Sequence, residues 1–287
     1  MMTPKRLVVI GASAGGIEAV RELVAGISAS LPAAICVAIH TSPASPGILS
    51  DILSRAGSLP VSYARNRERL RAGRVYVAPP DLHLVVEPGL LRVTRGPREH
   101  GFRPALDPLF RSAAQVYGPA AIGVVLTGNL DDGVAGLWTI KRLGGVAVVQ
   151  DPDDALFPSM PLNASRHVDV DYVVPLSRIP SLLIELTSET TETVRAAAVP
   201  EHIDVEVNIA KEQNPREAGL ERLGRPSAYS CPDCGGVLME DIARELTEVQ
   251  ELDGAARMTA AAQRVRRQSK AIRELMREPS LLTSAAD

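Results

Sequence analysis

The 287-residue sequence predicts, over residues 1–187, a doubly wound α/β domain: a mostly parallel sheet with helices on both faces and an inserted β-hairpin, followed by a C-terminal linker and a helical tail. Three observations predict it. Short apolar runs alternate with segments of helical period. The runs are continuous rather than alternating in polarity, which is what strands covered on both faces require. Glycine-rich turns stand where a run passes into a helical pattern, and the first of them reads LVVIGASAGGIEAV.

The elements follow in order. Apolar runs at 7–10, 34–39, 75–77, 122–126 and 146–149 are the predicted strands. Helical spacing predicts helices over 16–27, 47–55, 108–117, 134–143 and 179–186. Between residues 82 and 93 two apolar runs flank Glu87-Pro88-Gly89, the pattern of a β-hairpin inserted in the α/β order. Residues 188–228 change character: SETTET, EHIDVEV and KEQNPREAGLERLGRP have no sustained period and read as a linker, partly disordered. Residues 229–287 hold CPDCGG and then a helical pattern over 240–277 with a narrow stripe of Ile242, Leu246, Val249 and Leu252.

Composition narrows the function classes. The formal net charge is -3, with 18 basic and 16 acidic residues up to residue 187 and 13 basic and 18 acidic beyond it, so neither part carries the basic excess of a nucleic-acid binder. Three cysteines cannot build a disulfide framework, and Cys36 inside an apolar run reads as a buried small residue, which suits a reducing, cytoplasmic setting. The apolar run after Lys5 and Arg6 is broken by Gly11, Ser13 and Gly15, too early for a signal-peptide core. No segment approaches the roughly 18 apolar residues of a membrane helix, so no direct membrane insertion is expected.

The turn at 11–16 fits two machines. One is a dinucleotide-binding turn, in which glycines admit a pyrophosphate. The other is a nucleophile elbow, G-x-S-x-G, with Ser13 at a sharp strand-to-helix turn. The first calls for an acidic residue at the tip of the second strand, where this chain has His40. Short-chain reductases also resemble one another in a Tyr-x-x-x-Lys pair, and no tyrosine here has a lysine four residues on. The second calls for a base and a carboxylate near Ser13, because a serine hydroxyl is a poor nucleophile alone. Each follows a strand: His40 the second, and Asp131 and Asp132 the run 122–126, in GVVLTGNLDDGVAGL. Carboxyl ends of parallel strands are where an open α/β sheet gathers its chemistry. The chain order Ser, His, Asp differs from the Ser, Asp, His of α/β-hydrolases.

GASAGG, His40 at a strand tip, YVAPPDLHL, RPALDPLFRSAA, LTGNLDDGVAGL and QDPDDALFPSMP occur in an order that resembles the catalytic domain of bacterial chemotaxis methylesterases, the CheB family, over about residues 5–187. The resemblance implies a Ser-His-Asp triad that hydrolyses glutamyl methyl esters on methyl-accepting chemoreceptors, releases methanol and deamidates certain glutamines. By position, Ser13 resembles the nucleophile, His40 the base and Asp132 the orienting carboxylate. Oxyanion and substrate contacts are expected from the backbone at Ala14, Gly15, Gly128 and Asn129 and from Arg103, with Asp107 nearby as a second cleft residue or the partner of Arg103 in an ion pair. The chain departs from the family pattern at Ala14, where Thr or Ser is typical, and at Gly128-Asn129-Leu130, where Gly-Met-Gly is common. The first strand begins at Leu7, which leaves no room ahead of it for the receiver domain of the regulated enzymes. A stand-alone form is therefore expected, controlled by its tail or in trans by a sensory kinase or response regulator.

No cofactor is expected. Cys231-Pro-Asp-Cys234 reads as half of a zinc ribbon, but no second pair of ligands follows to complete a tetrahedral site, so no metal is expected. The alternatives are an esterase or amidase of the same fold acting on another protein, and a catalytically silent docking module for a receptor or sensory kinase.

Overall fold

The computed structural model describes residues 4–188, 199, 201–211, 226–230 and 237–239, in two compact units, Met1–Leu220 and Glu221–Asp287. The first unit runs β1 (Arg6–Ala12), α1 (Gly16–Ala25), β2 (Ala33–Ile39), α2 (Leu49–Ser54), β3 (Val61–Tyr63), β4 (Glu68–Arg69), β5 (Arg74–Val77), β6 (His83–Glu87) and β7 (Leu90–Thr94). It continues with α3 (Leu106–Tyr117), β8 (Ala121–Val125), α4 (Val134–Arg142), β9 (Val146–Gln150), α5 (Ser159–His167), β10 (Tyr172–Val174), α6 (Ile179–Ser188) and α7 (Glu201–Ala210). Seven strands form a sheet of order β10-β9-β8-β1-β2-β5-β3, with every pair parallel. In the second unit, β11 (Pro226–Ser230) pairs antiparallel with β12 (Val237–Met239). Cys231, Cys234 and the expected helical tail lie outside the described residues.

All seven residues of β1 and all seven of β2 are buried, which explains their unbroken apolar character. Side chains alternate between two cores. Leu7 and Val9 join α3, α4 and α5 on one face, through Leu106, Leu109, Leu137, Ile140 and Met160. Val8 and Ile10 join α1 and α6 on the other, through Val20, Leu23, Ile179 and Leu183. In α3, Leu106, Leu109, Phe110 and Ala113 are completely buried at the i, i+3, i+4, i+7 spacing of one helix face. Each such leucine or phenylalanine stabilises the fold by about 1.5–3 kcal/mol on transfer from water.

The inserted hairpin is present as β6 and β7, and β4 adds to it, giving an antiparallel sheet of order β4-β7-β6. Part of the expected linker is instead helical. α7 buries Ile203, Val207 and Ala210 with Val85 of β6, and the Thr94 hydroxyl donates to the Ala210 carbonyl at 2.6 Å. Those three apolar residues hold positions i, i+4 and i+7, but Val205 and Ile209 between them give the segment an alternating pattern that masks the helical stripe. Among the described residues no helix is long and apolar enough to cross a membrane.

Candidate active site

β1, β2 and β8 are adjacent, and β1 stands between the other two, so the strand order reverses there. The chain leaving these three strands carries Ser13, His40 and Asp132. In a parallel sheet such a reversal opens a crevice at the carboxyl ends.

Ser13 sits in a tight turn. Its N–H donates to the Thr127 carbonyl at 3.0 Å, and its own carbonyl accepts from Gly16 N–H at 2.9 Å. Gly15 caps α1 with φ +71°, a left-handed conformation that costs a side-chain-bearing residue energy. The Thr127 hydroxyl donates to the Ala14 carbonyl and accepts from Phe157 N–H at 2.8 Å, joining the serine turn to the loop before α5.

His40 links the other two residues. Its Nδ1 lies 3.0 Å from Ser13 Oγ, and its Nε2 lies 2.6 Å from Asp132 Oδ2. An ionised carboxylate only accepts, so Nε2 carries the proton and Nδ1 is left to accept from the serine hydroxyl. The Asp132 carboxylate is wholly buried yet fully partnered. Oδ2 also accepts from Leu106 N–H at 2.8 Å, and Oδ1 from Asp107 N–H at 3.1 Å. These are first-turn amides of α3, so the helix presents its positive end to the charge that orients His40. Asp131 is 56% exposed and lies beside His100 instead.

Asp107 repeats the device one helix away. Its Oδ1 accepts from Gly136 N–H in the first turn of α4 at 2.7 Å, and Oδ2 lies 3.0 Å from His100 Nε2. Burial works against the His100 imidazolium, but the hydrogen bonds and charges of Asp107 and Asp131, with Asp132 behind them, push its pKa up to about 11. The folded value lies above the ordinary 6.5, so the charged histidine contributes stability that is complete below pH 6.5 and is lost as pH rises through about 11. Urea denaturation of wild type and His100→Gln is expected to give a stability gap that is widest below that lower pH and narrows steadily through the alkaline range. His100, Asp107 and Asp132 are also the described group whose ligand atoms approach one another closely enough for a metal ion. Both Asp132 oxygens and Asp107 Oδ1 already accept from N–H donors, and the remaining Asp107 oxygen faces His100.

The cavity over Ser13 has a volume of about 420 Å³, and Ala14, His40, Ser42, Arg98 and Phe102 are among its walls. The residues expected to supply its oxyanion and substrate contacts differ in whether they are free to do so. Among the described residues the N–H groups of Ala14, Gly15 and Asn129 make no hydrogen bond, and Ala14 lines the cavity. Asn129 is exposed. Gly128 is corrected: its N–H donates to the Phe157 carbonyl at 2.9 Å and is not free. Glycine is needed there for space, since a Cβ would lie 2.8 Å from that of Ser13 and 2.9 Å from the Met160 sulfur. Arg103 is corrected as well. Its guanidinium binds Asp81 and the Arg95 and Gly96 carbonyls, it forms no ion pair with Asp107, and Arg98 faces the cavity instead. Met160, in the first turn of α5, packs against Gly128 beside the serine turn.

The sequence model of the family described as CheB methylesterase matches residues 8–183. The chain belongs to the CheB methylesterase family. Similar relatives include a protein of Leptospira interrogans named putative protein-glutamate methylesterase/protein-glutamine glutaminase, 38% identical over 64% of this chain and 96% of its own. Another is the protein-glutamate methylesterase FrzG of Myxococcus xanthus, 38% identical over 63% of this chain and 55% of its own length. Among solved structures, the CheB methylesterase catalytic domain of Thermotoga maritima is 31% identical with a TM-score of 0.61, covering 65% of this chain and all of that one. The mostly parallel sheet described above is thus the CheB catalytic fold. α7 follows the matched segment.

Sequence reasoning passed over Thr127 and Phe102. Phe102 lies flat on the His40 imidazole, with ring centroids 3.7 Å apart and planes 5° apart. Thr127 lies within LTGNLDDGVAGL but carries no signal of its own there, and Phe102 lies outside the motifs, because both act through neighbours that only the fold brings close.

Proposed function

We propose that this chain is a serine hydrolase that demethylates glutamyl methyl esters of chemoreceptors, releasing methanol, and that deamidates receptor glutamines by the same route. The observation that carries the reading is the hydrogen-bonded series Ser13–His40–Asp132 at the carboxyl ends of three neighbouring strands. Membership of the CheB family and the names of its relatives support the substrate.

The Ser13 hydroxyl gives its proton to His40 Nδ1 as Oγ bonds to the ester carbonyl carbon. Charge collects on the former carbonyl oxygen, which the N–H groups of Ala14 and Gly15 receive. One such donor typically contributes about 10²–10³ in rate. Asp132 stabilises the imidazolium, and the carbon–methoxide bond breaks as Nδ1 returns the proton, so methanol leaves. Water then attacks the acyl-serine with His40 again as base, restoring Ser13 and freeing the carboxylate. With a glutamine substrate the leaving group is ammonia.

On this reading the enzyme works in the cytoplasm, on the cytoplasmic part of a receptor. The cavity mouth suits an acidic, partly apolar segment. Arg98 lines the cavity and is partly exposed, which puts positive charge at its wall, while Leu156 and Phe157 flank Gly15. Arg98→Glu is expected to raise KM for the receptor about three- to tenfold at low salt and less at high salt, with kcat nearly kept, because rim charges act by screened attraction. Initial rates across receptor concentration and ionic strength check this.

Mass spectrometry of methylated receptor peptides before and after incubation tests the function itself. Conversion of glutamyl methyl ester and glutamine to glutamate is the expected result. Unchanged receptor peptides alongside hydrolysis of methyl esters on an unrelated protein would instead favour a same-fold esterase with another substrate.

A further inference from the structure

The hydrogen bonds that align the His40 ring do not last through the reaction just described. Once Ser13 Oγ is acylated, it has no proton to offer Nδ1, and the bond from Nε2 to Asp132 is what remains of the pair. A ring held by one hydrogen bond can swing about it. Phe102 supplies a second restraint of a different kind. Its plane lies parallel to the imidazole at 3.7 Å between centroids, so it opposes tilting whichever partner Nδ1 has.

Such a platform works only if it is itself fixed, and this one is fixed from several sides. Phe102 N–H donates to the Glu99 carbonyl at 2.8 Å, and Glu99 N–H returns a bond to the Phe102 carbonyl at 3.2 Å. The Glu99 carboxylate accepts from Arg111 Nη2 with both oxygens, at 2.7 and 2.6 Å. Arg111 is a buried residue of α3, and its Nε lies 3.1 Å from Glu206 Oε2 of α7. His83 ties down both ends of the same loop. Its Nε2–H donates to the Pro97 carbonyl at 2.8 Å, and its Nδ1 accepts from Ala105 N–H at 3.2 Å. Burial pushes the His83 pKa down, which keeps the ring in the neutral form that can both donate and accept.

We propose that Phe102 is a positioning residue for the general base, holding the plane of His40, and that the Glu99–Arg111 ion pair, braced by Glu206 from α7, holds Phe102 in place. The inference rests on the hydrolytic reading above. It extends the working site to a helix outside the segment that matches the family, so α7 is a functional part of the catalytic unit.

Phe102→Leu keeps apolar bulk but removes the flat face, and Phe102→Tyr keeps both. With full-length protein and methylated receptor membranes, Phe102→Leu is expected to lower kcat about ten- to a hundredfold, the scale of a misaligned catalytic group, with KM within about twofold. Phe102→Tyr is expected to stay within about threefold of wild type on the same reasoning. Glu99→Gln and Glu206→Gln are expected to give smaller losses, also in kcat, in that order. The His40 ring protons, observed by NMR, are expected to lie upfield in wild type and Phe102→Tyr and to lose that displacement in Phe102→Leu. A Phe102→Leu enzyme with wild-type kcat, beside an inactive Ser13→Ala, would overturn the inference and leave the hydrolytic reading standing. So would a loss confined to KM, or equal losses in the Leu and Tyr variants. Equal activity of wild type and Ser13→Ala would remove the hydrolytic reading, and this inference with it.

Discussion

Ser13→Ala is expected to lower kcat by about 10⁵–10⁶-fold, because without its nucleophile a serine triad retains only its oxyanion donors and binding energy. The fold is not expected to suffer. The turn is held by backbone groups, Ser13 N–H to Thr127 and Ser13 O to Gly16, and the substitution leaves both in place. The lost hydrogen bond to His40 is partly exposed to the cavity. A change in stability within about 0.5 kcal/mol, as for a substitution that creates neither a void nor an unpaired buried group, is the expected companion result. Single-turnover kinetics and urea denaturation of the same preparation check both. Such a pairing, a very large loss of rate with an unaltered transition, separates chemistry from folding.

Asp132→Asn is expected to behave differently. The rate should fall by about 10⁴-fold, since an amide neither stabilises the imidazolium nor enforces the tautomer that leaves Nδ1 free. Here the fold should suffer too. Both carboxylate oxygens of Asp132 face N–H donors: His40 Nε2 and Leu106 N on one, Asp107 N on the other. Whichever way the asparagine turns, its NH₂ meets a donor in a fully buried place. One unmade bond of this kind costs about 1–3 kcal/mol. The lost attraction between the charge and the α3 N-terminus adds about 0.3–1 kcal/mol. The expected signature is thus a lower urea midpoint along with the lower kcat, in contrast to Ser13→Ala.

Much of this arrangement was legible in the sequence, for identifiable reasons. β1 and β2 are wholly buried, so each reads as an unbroken apolar run. Ser13, His40 and Asp132 were legible as a set because each follows such a run closely, and strand ends in a parallel sheet share one side. β10 was not, since its three residues are at most half-buried at the sheet edge and carry no core pattern. α5 is absent from the helices expected of the sequence because SMPLNASRH holds a proline and little apolar character, although its first turn packs Met160 against Gly128. α7 was absorbed into a linker because its stripe, Ile203, Val207 and Ala210, spans only two turns.

Within the site, the harder question was which backbone groups remain free. Gly128 and Ala14 look equally suitable as oxyanion donors in sequence. What separates them is the Phe157 carbonyl, which takes the Gly128 N–H and comes from a loop after β9. Arg103 likewise looks available until Asp81 and two carbonyls claim its guanidinium. Such competition for donors follows from the tertiary fold and leaves no mark on local sequence.

The most direct test of the central claim is methanol release from chemoreceptor-bearing membranes methylated beforehand by a cognate methyltransferase, with wild type and Ser13→Ala compared at equal concentration. Release by wild type and none above background by Ser13→Ala is the predicted result. Equal release by the two proteins would contradict it and remove Ser13 as the nucleophile.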